Sequence, residues 1–442
     1  MIQNKNVSVN CKTNSKQIYL GQFVQAYSNY TLNKMNRVSN SVLIKKRVVT
    51  FLNNNRDITL AINRVFNFVQ KYRISVHKSL EDYNDGNYTW KRLLLVSLAR
   101  LMVLMTFVRY ISSAMISKKW IIILMSDANH VLGNQRLISF VISIACFVAF
   151  CIGIIVQFKE MSKTNELFQF MYDFKHKRII PLNDKHSKRI TLIMNMMAKY
   201  LMEQAFWPLV ITCLGTLFAT SVVAYFDQDS NYSLISILLW NSITPVVIIQ
   251  ICGIVWIGCV VSVLSSLYLK YKFEEINEEI KSCIKFKNNN RLKKAIADHN
   301  YICDKTSYLN DFFSHMSFQL YHIGTPALMG LLFLTHAKDT VFMARFVAVF
   351  IFVLVFSVVF FATLLYSQIS RSSRKPKDLI YSQLFLRKYS VEESLKLMAF
   401  VEKLMGPDIG FYCWNLFPLN SYQFYKYVAS CACSYFLIME MI

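Results

Sequence analysis

Glycine and proline are scarce, 11 and 7 residues in 442, so the chain has few of the residues that break helices. Acidic residues are outnumbered, 26 against 49 basic ones, for a formal net charge of +23. Such an excess can serve nucleic acid. Here the basic residues are spread over several loops that flank apolar runs and form no single patch, which excludes nucleic acid as a partner. No HExxH, GxSxG or phosphate-loop pattern occurs, and no His/Cys/Asp cluster has ligand spacing. Neither an enzyme nor a metal or other cofactor is therefore expected. The 11 cysteines form no paired CxxC. Most, such as Cys146, Cys151, Cys213, Cys252 and Cys259, lie in apolar runs and read as small buried hydrophobes. The N-terminus is polar and lacks the apolar stretch of a cleavable signal peptide.

What the chain has instead is apolar length. It is 54% hydrophobic and 14% aromatic, with a mean hydropathy of +0.33. Several uncharged runs approach or exceed the ~20 residues that cross a ~30 Å hydrocarbon core. The expectation is an all-α polytopic membrane protein with seven transmembrane helices, at about 93–115, 137–157, 204–226, 240–268, 312–335, 346–369 and 421–442. Arg100 and Arg109 interrupt the first span. A central Arg costs ~2.5–3.5 kcal/mol on insertion scales, so both must snorkel or face the bundle interior.

Orientation follows from charge. Residues 1–92, 158–200, 270–305 and 371–403 carry 15, 9, 9 and 8 Lys and Arg, which is 41 of the 49. The positive-inside rule makes these segments cytosolic, with the N-terminus inside and the C-terminus extracellular. The outer loop 227–239 has no basic residue and holds a glycosylation sequon at Asn231. Four regions result: a cytosolic N-terminal region 1–91 with helical periodicity around Ile58–Val69, helices one to six over 92–369, a cytosolic helix and turn over 370–420, and the last helix, 421–442. Residues 270–310 read as cytosolic helical extensions of the fourth and fifth spans, broken at Asn288–Asn290. Residues 378–405 read as one amphipathic helix with Leu395, Leu397, Met398, Val401, Leu404 and Met405 mostly on one face. It either packs on the other inner helices or lies on the membrane, and Gly406-Pro407 stops it.

The last 65 residues carry a more specific pattern. Helix 378–405 is followed by Phe411, by Leu416-Phe417-Pro418-Leu419-Asn420, and by a final helix with Ser434-Tyr435 and Phe436-Leu-Ile-Met-Glu440 near its end. This resembles the arthropod gustatory receptor family, related to the insect odorant receptors. Its last helix is marked by Thr-Tyr, five hydrophobic residues and Gln-Phe. Here Met441-Ile442 replaces Gln-Phe and Glu440 replaces the fifth hydrophobic, as in a divergent member. The resemblance implies a plasma-membrane chemosensory receptor that responds to a small-molecule tastant or odorant. It also implies a homo- or hetero-tetramer acting as a ligand-gated, non-selective cation channel, with the last helix of each subunit lining the pore.

On that reading the outer halves of spans three to six supply the pocket: Thr216, Thr220, Trp240, Asn241, Thr244, His322, Thr325, Phe342 and Phe346. Each is equally a helix-packing residue, and His315 and His322, seven apart on one face, also read as satisfied interior histidines. On the last helix Tyr435, Met439 and Ile442 share a face with Phe436 and are expected at the pore. Glu440 sits where a ring of carboxylates would favour cations, or where it would simply reach interfacial water. Asn420-Ser421 can cap this helix. Two other classes stay open. A metabotropic seven-helix receptor is opposed by the inverted topology, by missing DRY and NPxxY motifs, and by outer loops without cysteine. A secondary transporter is opposed by the lack of an internal repeat.

Overall fold

The computed structural model describes residues 58–116, 135–199, 234–337, 341–386, 389–407, 409–414 and 416–440, with the pairs 206–207, 210–211 and 214–215. All belong to one compact unit, Asp57–Ile442. In chain order its helices are α1 (Ile58–Lys71), α2 (Leu80–Asp85), α3 (Trp90–Met115), α4 (Gln135–Met161), α5 (Glu166–Lys175), α6 (Asp184–Met196), α7 (Leu234–Lys285) and α8 (Asn289–Phe318). A π-helical turn, Gln319–Ile323, joins α8 to α9 (Gly324–His336). Then come α10 (Phe342–Arg374), α11 (Pro376–Leu386), α12 (Val391–Met405), the two-residue strands β1 (Tyr412–Cys413) and β2 (Phe417–Pro418), and α13 (Ser421–Glu440). The all-α expectation holds.

Among the described residues four helices, α3, α4, α7 and α10, are long and apolar enough to cross a membrane by length and composition. Three match expected spans closely. The fourth, α7, is a single helix of 52 residues, long enough to leave the bilayer and form the expected extension. It ends at Lys285, and Asn288 caps α8 by accepting from the Arg291 amide, so the break falls at the asparagine run. The expected span 204–226 lies mostly outside the described residues. The fifth is not one α-helix. Pro326 cannot donate to the His322 carbonyl four residues back, and the helix widens into the π turn just before it.

On α3 the two faces differ as a membrane helix requires. Trp90, Leu94, Leu98, Leu101, Met105 and Val108 are exposed on one side. On the other, Val96 and Val103 are buried with both arginines, Arg100 at 1% exposure and Arg109 at 6%. Both thus face the interior. Arg109 lies 4.6 Å above the Trp240 ring and 4.9 Å from that of Tyr110. The guanidinium of Arg100 donates to Gln250 Oε1 of α7 at 2.7 Å and to the Ile74 carbonyl at 3.0 Å. Gln250 Nε2 in turn donates to the Tyr72 carbonyl. Space for the guanidinium comes from Gly153 of α4, where a Cβ would stand 2.7 Å from Arg100 Nε.

The N-terminal region is drawn into this core. The helix α1 buries Ala61, Ile62, Val65, Phe66 and Val69, and the segment after it runs beneath α3. There Glu160 accepts from Ser75 Oγ and the Val76 amide, both at 2.9 Å.

The charged extensions pack as a bundle into the same hydrophobic cluster as α1. The helix expected over 378–405 is two, α11 and α12, because Ser390 and Glu393 form a reciprocal capping box that starts a new helix. Its buried face is Leu397, Phe400, Val401 and Leu404. Leu395, Met398 and Met405, expected on that face, are exposed, since 397, 400, 401 and 404 form the tighter i, i+3, i+4, i+7 set.

His299 holds this bundle together. It is fully buried between the rings of Phe273 and Phe400, and its Nε2 donates to the Ser373 carbonyl at 2.9 Å. The Cys303 thiol lies 3.4 Å from Nδ1. Burial, helped by Lys403, pushes the imidazole down to about 4. The unfolded chain therefore takes up the proton first as pH falls. Stability contributed by neutral His299 is complete above about 6.5 and is lost progressively toward 4, by about 3 kcal/mol in all. Thermal melts of the purified chain between pH 7.5 and 4.5 should show this loss, and His299→Gln should flatten the profile. An equal slope in the variant would assign the acid sensitivity elsewhere.

Candidate functional site: the last helix and the turn that carries it

The turn between α12 and α13 is built from two residue pairs. Tyr412 faces Pro418 and Cys413 faces Phe417 in a minimal antiparallel pair, closed by the Leu419 amide donating to the Phe411 carbonyl at 2.8 Å. Trp414 turns the chain at a φ of 50°. Phe411 anchors the unit, buried between the rings of Phe313 and Tyr366 at 4.9 and 4.8 Å. Two backbone bonds tie it to α8: the Tyr412 amide donates to Asn310 Oδ1, and the Trp414 amide to the Ser314 carbonyl. As expected, Asn420 caps α13, accepting from the Gln423 amide at 3.0 Å.

One face of α13 is held along its length. Phe424 packs on Phe356 and Phe360 of α10. Tyr427 stacks edge-on against Tyr321 at 4.9 Å and receives a hydrogen bond from Thr325 Oγ1 at 3.1 Å. Tyr435 lies 6.0 Å from the His336 ring. The π turn itself is tied to α10, where Tyr321 and Thr363 hydroxyls are hydrogen-bonded. Among the described residues, the ring contacts of the other face of α13 are with neighbours on the same helix: Lys426 over Tyr422, Phe424 on Tyr425 and Tyr435 on Phe436. Tyr422, Tyr425, Ala429, Ala432, Phe436 and Glu440 recur at three- and four-residue steps, and all are exposed.

The residues singled out from sequence fall in different places. Trp240 is buried under Arg109 in a cluster with Val103, Cys146, Ile243 and Val247. Thr244 Oγ1 donates to its carbonyl, and Asn241 is half-buried beside it. His322 and Thr325 belong to the π turn and the start of α9. His322 meets Phe318 and Phe417, while Thr325 serves Tyr427. His315 meets Trp414, so the two histidines do share the face turned to the 411–419 turn, but both are exposed and neither is an interior histidine. Phe342 and Phe346 stand exposed, at 75% and 61%. Thr216, Thr220 and Ile442 lie outside the described residues, as does the side chain of Met439. Of the pore set, Tyr435 is on the held side of α13, and Phe436 and Glu440 are on the open side. None of these residues lines the three cavities described, each of 520–580 Å³.

Sequence reasoning missed the Arg100, Gln250 and Glu160 anchors of the 72–76 segment. Gln250 alone in an uncharged run of α7 was the available signal, because a polar side chain at membrane depth needs a partner. The π turn was equally missed, with Pro326 as its signal.

No protein-family model matches this sequence, and no curated protein matches it. Solved structures do. The chain is similar to the insect olfactory receptor OR5 from Machilis hrabei in complex with eugenol, with a TM-score of 0.62 at 12% identity. That match covers 86% of this chain and 98% of the other. A second structure of the same receptor matches with a TM-score of 0.57 at 11% identity over the same shares. At such identities the likeness is one of fold, and with the apolar helices it makes this chain a membrane protein.

Proposed function

We propose that the chain is a chemosensory receptor, of the gustatory type that its C-terminal pattern resembles, and works as a ligand-gated, non-selective cation channel of the plasma membrane. The observation that carries this reading is the last helix. It is fixed to α9 and α10 by one side, while Tyr422, Tyr425, Phe436 and Glu440 on the other are exposed among the described residues. Four such faces around an axis would enclose a pore. A fold shared with an olfactory receptor seen in complex with eugenol supports a small-molecule ligand, which we place in the outer halves of the helices, near Trp240, His322 and Thr325. The charge asymmetry supports a cytosolic N-terminus.

Single-particle imaging of the detergent-purified chain without ligand tests the assembly. A four-fold particle with residues 421–442 around its axis is expected. A monomer whose last helix faces lipid would remove the channel mechanism and favour a metabotropic receptor.

A further inference from the structure

Where α1, the 72–78 segment and the start of α3 meet, the chain leaves a cavity of about 580 Å³, within the roughly 300–1,000 Å³ range of small-ligand sites. Its lining is unusual in charge. Lys71, Arg73, Lys78, Lys91 and Arg92 all contribute, with Thr89 and neutral neighbours, and no carboxylate lines it among the described residues. Some basic side chains elsewhere are met by acids, as in the pairs Lys159–Glu166, Lys175–Glu81 and Lys293–Glu393. Glu160, the buried acid of this region, gives one oxygen to Ser75 Oγ and the Val76 amide, and it and Asp82 attract Arg92 without lining the cavity. Arg92 is fixed in place by the carbonyls of Ser75 and Gln70.

Position narrows the ligand. The cavity is lined by Thr89, Lys91 and Arg92 at the N-terminal end of α3, whose chain neighbours Tyr88 and Trp90 have exposed rings. Directly beyond them begins the exposed apolar stripe Leu94, Leu98, Leu101. An aromatic pair between a polar and an apolar surface marks the membrane interface. Cations gathered at that level, beside a helix whose N-terminal dipole also favours anions, suit a phosphate group carried by lipid.

We propose that this cavity binds the phosphorylated headgroup of an anionic lipid, with Arg73, Lys78 and Lys91 as the charge-bearing contacts, Arg92 as their fixed base, and the acyl chains along the exposed α3 stripe. The proposal relies on the inferred orientation only for the leaflet, which would be the cytosolic one.

The full chain in phosphatidylcholine nanodiscs can be titrated with a dioctanoyl phosphatidylinositol bisphosphate, with free inositol trisphosphate, and with inorganic phosphate, reading the shift in melting temperature. The short-chain lipid should raise it in a saturable, salt-sensitive way and bind more tightly than either soluble anion. Each cation removed should weaken binding about fivefold, so Arg73→Gln/Lys78→Gln/Lys91→Gln together should weaken it roughly a hundredfold. Lys293→Gln/Lys396→Gln, remote from the cavity, should bind as the native chain does. Should the triple variant fail to fold, Lys78→Gln and Lys91→Gln alone, both exposed, read the same loss. Equal binding by the cavity variants and the native chain would overturn the site. A soluble anion matching the lipid would overturn the lipid assignment. Neither result depends on gating or assembly.

Discussion

Replacing Arg100 with leucine is expected to leave little monodisperse protein. Its guanidinium satisfies Gln250 Oε1 and the Ile74 carbonyl at once, from a position 1% exposed. Removing it strands two acceptors in a low-dielectric interior, at ~1–3 kcal/mol each. The cavity left behind adds to that cost. A total of roughly 3–5 kcal/mol is a large part of the ~5–15 kcal/mol that holds a protein folded. Arg100→Lys should recover little, since one ammonium on a flexible stem does not reproduce the planar fork that spans both acceptors. Arg100→Leu/Gln250→Leu should be less damaging than the two single changes summed, because the second removes an acceptor the first had stranded. Size-exclusion profiles and thermal melts of the purified variants give the comparison. A leucine variant as stable as the native chain would show that the anchor of the 72–76 segment contributes nothing.

Changing Glu440 should alter which ions pass, if the last helix lines the pore. Glu440 lies on the open side of α13 with Phe436, which is 64% exposed. Four carboxylates at one level concentrate cations, and the focusing grows within a narrow low-dielectric wall. Glu440→Gln should lower the cation-over-anion permeability ratio severalfold, and Glu440→Lys, which replaces the ring by its opposite, roughly tenfold or more. Reversal potentials under a salt gradient measure both, with ligand-evoked opening otherwise retained. Unchanged ratios in both variants would place Glu440 in interfacial water, away from the ion path.

Much of this organisation is legible residue by residue. Asn420 caps α13 as expected, because a cap depends only on the side chain and the next three amides, and the expected break at Asn288–Asn290 is where Asn288 caps α8. The same chemistry at Ser390 and Glu393 was present and overlooked, which is why one amphipathic helix was expected where α11 and α12 stand. Both arginines of the first span had to snorkel or face inward, since lipid offers a charge no partner, and the structure turns both inward. Other placements were beyond reach. Nothing near Thr325 in sequence announces that its hydroxyl meets Tyr427, 102 residues away.

The sequence by itself determined the helical class, the long apolar helices, the uneven distribution of basic residues and the points where helices start and stop. All of these are local or compositional. Only the tertiary structure decided which face of each helix turns inward, which side of α13 stays open, and that Arg100 finds Gln250 and Ile74. The physical reason lies in the solvent. In water a buried face is apolar and an exposed one polar, so periodicity reveals orientation. In lipid both faces of helices such as α7 and α10 are apolar, and the sequence pattern carries no such signal.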